Sequence, residues 1–226
     1  MQPYFLPYLG YFQLIHAVDA FVVYDDIQFT KRGWIRRNRI LTGNQPSWIT
    51  LPLEHDSDYL DIRQRRIAST FDRDKLLRRI RASYERAPRF ASTIPLIAEI
   101  VGFESANLFD FLFHSIECVC ARLGIGTRLI VASTLPVDAS LRKQDRVLAI
   151  ARACGADGYV NPVSGEALYS RAEFAAHGIT LEFLRTEPFE YAQFSPPHVP
   201  DLSIVDLLMF ADEGTLGRLL ERYQVS

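Results

Sequence analysis

Cysteine, lysine, methionine and tryptophan are all scarce in this 226-residue chain: three Cys, three Lys, two Met and two Trp. Three cysteines, at 118, 120 and 154, make an odd number without framework spacing. That excludes a disulfide-stapled fold and points to a reducing compartment. Cys118 and Cys120 sit in one apolar helical run and are expected to be small core residues. No apolar run is long enough to cross a bilayer, and Pro and Tyr interrupt the apolar start, so neither a membrane span nor a signal peptide is expected. The expected setting is the cytoplasm.

Excess charge is lacking too. The net charge is −2, which excludes a protein that binds nucleic acid by bulk phosphate neutralisation. Metal-ligand spacing is missing among the five histidines, no two of which stand four apart on one helix. His16 and His114 read as core or boundary residues. His55 and His198 lie in loops without a partner in the sequence. No metal site is expected, and no Cys-His or Ser-His triad is supported. Nothing resembles a coenzyme A or carrier-protein signature.

What is present begins at the amino end. The run MQPYFLPYLGYFQLI, the short strand FVVY and the segment DDIQFTKRGWIRRNRI are dense in Pro, aromatic and amide side chains. Such residues make poor core and good pocket wall, since planar groups stack and amides supply paired donors and acceptors. With 48% hydrophobic residues, the chain can bury the core of a single domain over residues 1–226.

The period of the apolar residues gives the elements. A helix is expected over 11–18, a strand over 21–24, a hairpin from strands 34–41 and 48–53, and a strand over 62–67. A mainly helical segment follows over 72–123, with Pro95 or its neighbours capping its second helix, a long helix from Asn107 to Leu123 and Gly124 as a stop. Strand 129–132, helix 144–154, strand 159–161, helix 171–177 and strand 179–185 alternate after that. A last helical region starts at 202–210. This alternation predicts an α/β fold, a parallel sheet with flanking helices and an added helical segment. Ligands in such sheets collect at strand carboxyl ends. Asp25-Asp26, Ser133-Thr134 and Asn161-Pro162 all follow strands, which points to one shared site.

Asp25 and Asp26 are the candidate general bases or hydroxyl acceptors. Gln2 and Gln28 are candidate orienting amides, while Gln13 is expected on a solvated helix face. Lys31, Arg32, Trp34, Arg37 and Asn38 join charged forks to a stacking ring, which suits the pyrophosphate and base of a sugar nucleotide. Asn161, Ser164 and Gly165 form a polar loop able to cradle an anion or sugar hydroxyls. Ser203 and Asp206 read as a capping-box variant, with Asp206 among apolar residues and in need of a partner such as Arg.

The segments QPYFLPYLGYFQLI, YDDIQFTKRGWIRRN, YVNPVSGEALY and LSIVDLLMF together resemble the WbqC-like protein family across essentially the whole chain. The resemblance implies a setting in bacterial O-antigen or other surface-polysaccharide biosynthesis. It also implies glycyl-type acyl or aminoacyl transfer to an amino sugar or nucleotide-sugar, with a small-molecule acyl donor as second substrate. Related chains begin with a few more apolar residues, whereas this one starts at the motif itself. A weaker resemblance links Tyr8, Gly10 and Tyr11 to the H-x-G-H loop of the nucleotidylyltransferase and class I synthetase superfamily. It implies a HUP or Rossmann-like three-layer core. Both histidines of that loop are tyrosine here, so the loop is expected to bind a nucleotide without activating it. The two alternatives to acyl transfer are a non-catalytic binding protein of the pathway and a nucleotidyltransferase-like enzyme with an altered loop.

Overall fold

A computed structural model describes residues 1–226. Helix α1 (Leu9–His16) leads into strand β1 (Ala20–Val23), followed by the hairpin strands β2 (Arg37–Thr42) and β3 (Gln45–Thr50). Helices α2 (Arg73–Tyr84), α3 (Phe90–Gly102) and α4 (Leu108–Leu123) come next. The rest alternates: β4 (Arg128–Val131), α5 (Lys143–Ala153), β5 (Gly158–Pro162), α6 (Arg171–Ala176) and β6 (Thr180–Thr186). Helices α7 (Ile204–Phe210) and α8 (Glu213–Leu220) and strand β7 (Tyr223–Val225) complete the chain.

Local chemistry sets most of these boundaries. Asp72 accepts from the Lys75 amide at the start of α2, and Asn107 accepts from the Phe109 and Asp110 amides at the start of α4. Gly124 ends α4 at φ 70°, where a residue without Cβ is unstrained. Two expectations fail. Segment 62–67 is no strand: the Asp61 and Gln64 side chains and backbones cap each other and close a 3-10 turn at Ile62–Gln64. Pro95 does not cap α3 but lies inside it, where the helix gives up one hydrogen bond.

The fold is mixed α/β, but its strands form three small sheets rather than one. β1 and β4 pair in parallel, β2 and β3 antiparallel, and β6 lies between a parallel β5 and an antiparallel β7. One core of 45 buried residues joins α1, the hairpin, the α2–α4 block and α7–α8. A smaller core of seven lies between α5, α6 and β6.

The break between the first and third sheets is a groove. The second edge of β1 bonds only Met1: the Met1 amine donates to the Val22 carbonyl at 2.6 Å, and the Tyr24 amide donates to the Met1 carbonyl at 2.8 Å. That is one rung of a parallel ladder. Beyond it lies a space of about 730 Å³, lined by Phe21 and Val22 on one side, Tyr159 and Val160 on the other, and Val147 and Ile150 of α5. The expected single parallel sheet is interrupted between β1 and β5 by this groove.

Candidate functional site

A cleft of about 770 Å³ opens where α1 begins and where β5 and β6 end. Tyr8, Leu9 and Gly10 supply one wall, Pro162 to Ser164 a second, and Leu184 to Glu187 a third. The loop between β6 and α7 closes it with Tyr191, His198 and Asp201. These are strand carboxyl ends and a helix amino end, where backbone amides and dipoles favour anionic ligands. No side chain caps α1.

The opening loop is held in an unusual shape to reach this place. Leu6 is buried with φ 45°, a left-handed conformation that β-carbon sterics disfavour. Buried Asn38 donates to the Phe5 and Leu6 carbonyls at 3.1 and 2.8 Å, and the Ser203 hydroxyl donates to the same Leu6 carbonyl at 2.7 Å. Gly10 answers a second constraint. A Cβ there would stand 2.5 Å from the Tyr8 ring and 2.8 Å from Thr186 Oγ1, so only glycine lets α1 start this close to β6.

Gln13 is fully buried rather than solvated. Its amide donates to the Leu219 and Arg222 carbonyls at 2.7 and 3.1 Å and accepts from the Thr186 hydroxyl at 2.6 Å. A buried amide with all these partners ties α1, β6 and the end of α8 together beneath the cleft.

The back wall carries a polar relay. Asp206, fully buried in α7, accepts from Tyr84 (2.7 Å), Tyr191 (2.7 Å) and Gln193 (2.8 Å). It has no Arg partner: neutral donors satisfy it, and burial raises its pKa. Ser203 caps α7 through the Val205 amide, but Asp206 does not complete a capping box, because its carboxylate turns to the tyrosines. Burial and the Asp206 carboxylate push the Tyr191 hydroxyl up, so it stays protonated and donating. The His198 ring meets the Tyr191 ring edge to face at 4.8 Å and 74°. His198 Nε2 is buried without a partner on the cleft wall. An unpaired buried acceptor or donor awaits a ligand or water.

Beside the cleft lies an aromatic shelf. Trp34 and Trp48 sit 5.6 Å apart, with their ring planes 30° from each other, and are 38% and 43% exposed. Arg37 covers Trp48 at 4.4 Å and Arg39 covers Trp34 at 5.6 Å. Arg39 also donates to the Asp201 carbonyl at 3.2 Å, which joins the shelf to the cleft rim.

The residues singled out in the sequence divide between several places. Tyr8, Gly10 and Ser164 line the cleft. Trp34 and Arg37 form the shelf, with the Arg32 carbonyl accepting from Arg37 at 2.9 Å. Asn38 holds the opening loop, and the buried Tyr11 hydroxyl donates to the Gln2 carbonyl at 3.0 Å. Gln28 and Lys31 instead serve the 57–61 loop, the first donating to the Asp58 carbonyl and the second pairing with its carboxylate at 2.6 Å.

Asp25 and Asp26 do not line the cleft. Buried Asp25 accepts from the Ser133 amide at 2.9 Å and faces Arg63 at 3.9 Å. Asp26 pairs with Arg146 at 2.5 Å, both side chains largely buried. Asp25 and one oxygen of Asp26 join β1 to the elements after it, while Asp26 Oδ1 is buried without a partner, and the cleft lining includes neither residue. Asn161 and Gly165 form a local pair at the end of β5: the Asn161 amide fills the space where a Cβ of residue 165 would sit, and Tyr159 donates to Asn161 at 3.4 Å.

Sequence reasoning placed none of Tyr191, Gln193, His198 and Trp48 at a site. The loop 187–203 carries no period, and Asp206 among apolar residues was its only anchor. The WITLPL run read as a strand that would present Trp48 on one face, and that was the signal for the shelf.

The chain is a mixed α/β protein with a mixed-charge cleft at strand carboxyl ends. More narrowly, the WbqC-like family profile matches residues 2–216, and the chain belongs to the WbqC-like protein family. It is similar to the uncharacterized protein Rv1507c of Mycobacterium tuberculosis, 31% identical over 211 residues that span 92% of this chain and 90% of that one. No solved structure matches it. No helix is long and apolar enough to cross a membrane.

Proposed function

We propose that this protein transfers an acyl or aminoacyl group to the amine of an amino sugar or nucleotide-sugar bound in the cleft, in surface-polysaccharide or related biosynthesis. Family membership supports the setting, and the cleft supports the chemistry. Arg185 offers a cationic fork, and the uncapped start of α1 offers amides, for phosphate, while Arg222 pairs with Glu187 at 3.6 Å. Glu190 and Asp201 offer carboxylates for a substrate amine. The Trp34–Trp48 shelf takes the base or a sugar ring.

One observation carries the catalytic part: His198 lines the cleft, its buried Nε2 has no partner, and Tyr191, fixed by Asp206, packs edge to face on its ring. In this reading the amine nitrogen attacks the acyl carbonyl of an activated ester or thioester. The amide bond forms, the bond to the leaving group breaks, and His198 Nε2 takes the amine proton and returns it to the leaving group. The Tyr8 hydroxyl, kept protonated by burial and by Asp201, donates to the substrate.

Nucleotidyl transfer is the weaker alternative, because Tyr11 is committed to the core and cannot face a phosphate. Thermal-shift screening with sugar nucleotides and acyl donors, followed by mass spectrometry, tests the proposal. An amide product that falls at least about 100-fold in His198→Asn supports it. Stabilisation without any product makes this a binding protein and removes the transfer. Unchanged turnover in His198→Asn removes the assigned base.

A further inference from the structure

We propose that Glu99, His114 and Cys118 form a site for a zinc-type divalent cation that bridges α3 and α4, outside the cleft. His114 and Cys118 stand four apart on α4, one turn above the other on the same face. Glu99 reaches them from α3. Cys118 Sγ lies 3.4 Å from His114 Nε2 and 3.7 Å from Glu99 Oε1, and all three ligand atoms fall within 4.8 Å of one another.

The two sulfur separations, 3.4 and 3.7 Å, are close to what a tetrahedral ion requires. With a metal–sulfur bond of about 2.3 Å and metal–nitrogen or –oxygen bonds of about 2.1 Å, tetrahedral edges come to about 3.4–3.6 Å. Small side-chain rotations therefore bring all three donors onto one ion. A mixed sulfur, nitrogen and oxygen set suits zinc or cobalt rather than magnesium or calcium. Three protein ligands leave a fourth position for water or another donor. Phe103 stacks on the His114 ring at 4.0 Å and 21°, which fixes the ring plane as an outer contact does in metal sites.

The competing account is a thiol hydrogen-bonded to its neighbours. In that account the Cys118 thiol donates to Glu99 Oε1 at 3.7 Å. A divalent ion displaces the thiol proton and takes the thiolate. Histidine–histidine spacing alone conceals such a site, since its i, i+4 pair is His–Cys.

Cobalt(II) titration of the full reduced chain tests this. One equivalent is expected to give the intense thiolate-to-cobalt absorption of a tetrahedral site and to raise Tm, and zinc is expected to displace it. Cys118→Ala is expected to abolish the absorption and Glu99→Gln to weaken binding about 10-fold or more. Because Glu99 is exposed, Glu99→Gln reports binding even where Cys118→Ala disturbs packing. Cys154→Ala and His198→Asn are expected to bind as wild type. Absence of the thiolate band, its survival in Cys118→Ala, or its loss in Cys154→Ala overturns the assignment.

Discussion

Asn38 holds Leu6 in a left-handed conformation by donating to its carbonyl at 2.8 Å and to that of Phe5 at 3.1 Å. A β-hairpin side chain thus fixes the shape of the loop that forms the first cleft wall. Asn38→Ala leaves two buried carbonyls short of a donor, and the Leu6 carbonyl keeps only Ser203. The expected cost is about 3 kcal/mol, read from the urea midpoint. A larger proportional loss of ligand-induced stabilisation is expected as well, because the loop relaxes. A variant with normal stability and normal ligand shifts would show that the loop shape does not depend on this amide.

Asp206 gathers three donors and no cation, so an isosteric amide is a poor replacement. In Asp206→Asn the new NH₂ group faces donors, with an expected loss of about 2 kcal/mol near neutral pH. The pH dependence has a definite sign. Burial raises the Asp206 pKa above its unfolded value. Its contribution is therefore full below the unfolded pKa and declines as pH rises through the raised folded pKa. The stability gap between wild type and variant is expected to be widest in acid and to narrow toward neutral pH. Urea unfolding at several pH values measures it, and a gap that widens with pH contradicts the assignment.

The elements with strong periodicity and clear caps were legible from residues alone. Asn107 and Gly124 bound α4 where expected, and Asp72 opens α2, because capping chemistry is local. Tertiary facts were not local. Gln13 looks like a solvated helix residue until β6 and the end of α8 pack over it. Asp25 and Asp26 follow a strand, as a site residue does. Nothing nearby in sequence reveals that Ser133 and Arg146 are their partners. His198 lies in an aperiodic loop, and only the fold brings its ring to Tyr191.

Gly10 sits in a helix, where alanine is ordinarily favoured by about 1 kcal/mol. Here the added Cβ meets the Tyr8 ring and Thr186 Oγ1 at 2.5 and 2.8 Å. Tyr8 must swing into the cleft, or α1 must lift from β6 and loosen the Thr186–Gln13 bond. Gly10→Ala is expected to lose about 1–2 kcal/mol net and to weaken cleft ligands more than it weakens the fold. Chemical denaturation and thermal shift with the best sugar-nucleotide ligand separate the two effects. A gain in stability with unchanged ligand response would mean that the close approach is dispensable.

The groove between β1 and β5 predicts a response to extending the chain ahead of Met1. A four-residue β-branched extension spans about 13 Å, the length of β1, and continues the parallel rung that Met1 already makes. It places apolar side chains against Phe21, Val160 and Ile150 and replaces an ammonium by a peptide N–H. Burial pushes the Met1 amine down to about 5 from an ordinary 8.0. The folded state therefore resists its protonation, and stability is expected to rise from pH 5 to pH 8 by at most about 4 kcal/mol, three pH units at about 1.36 each. The extended protein is expected to show a higher Tm, slowed amide exchange in β1 and β5, and loss of that part of the pH slope. An extension that lowers Tm, or leaves the exchange of both strands unchanged, means that the groove does not accept a strand.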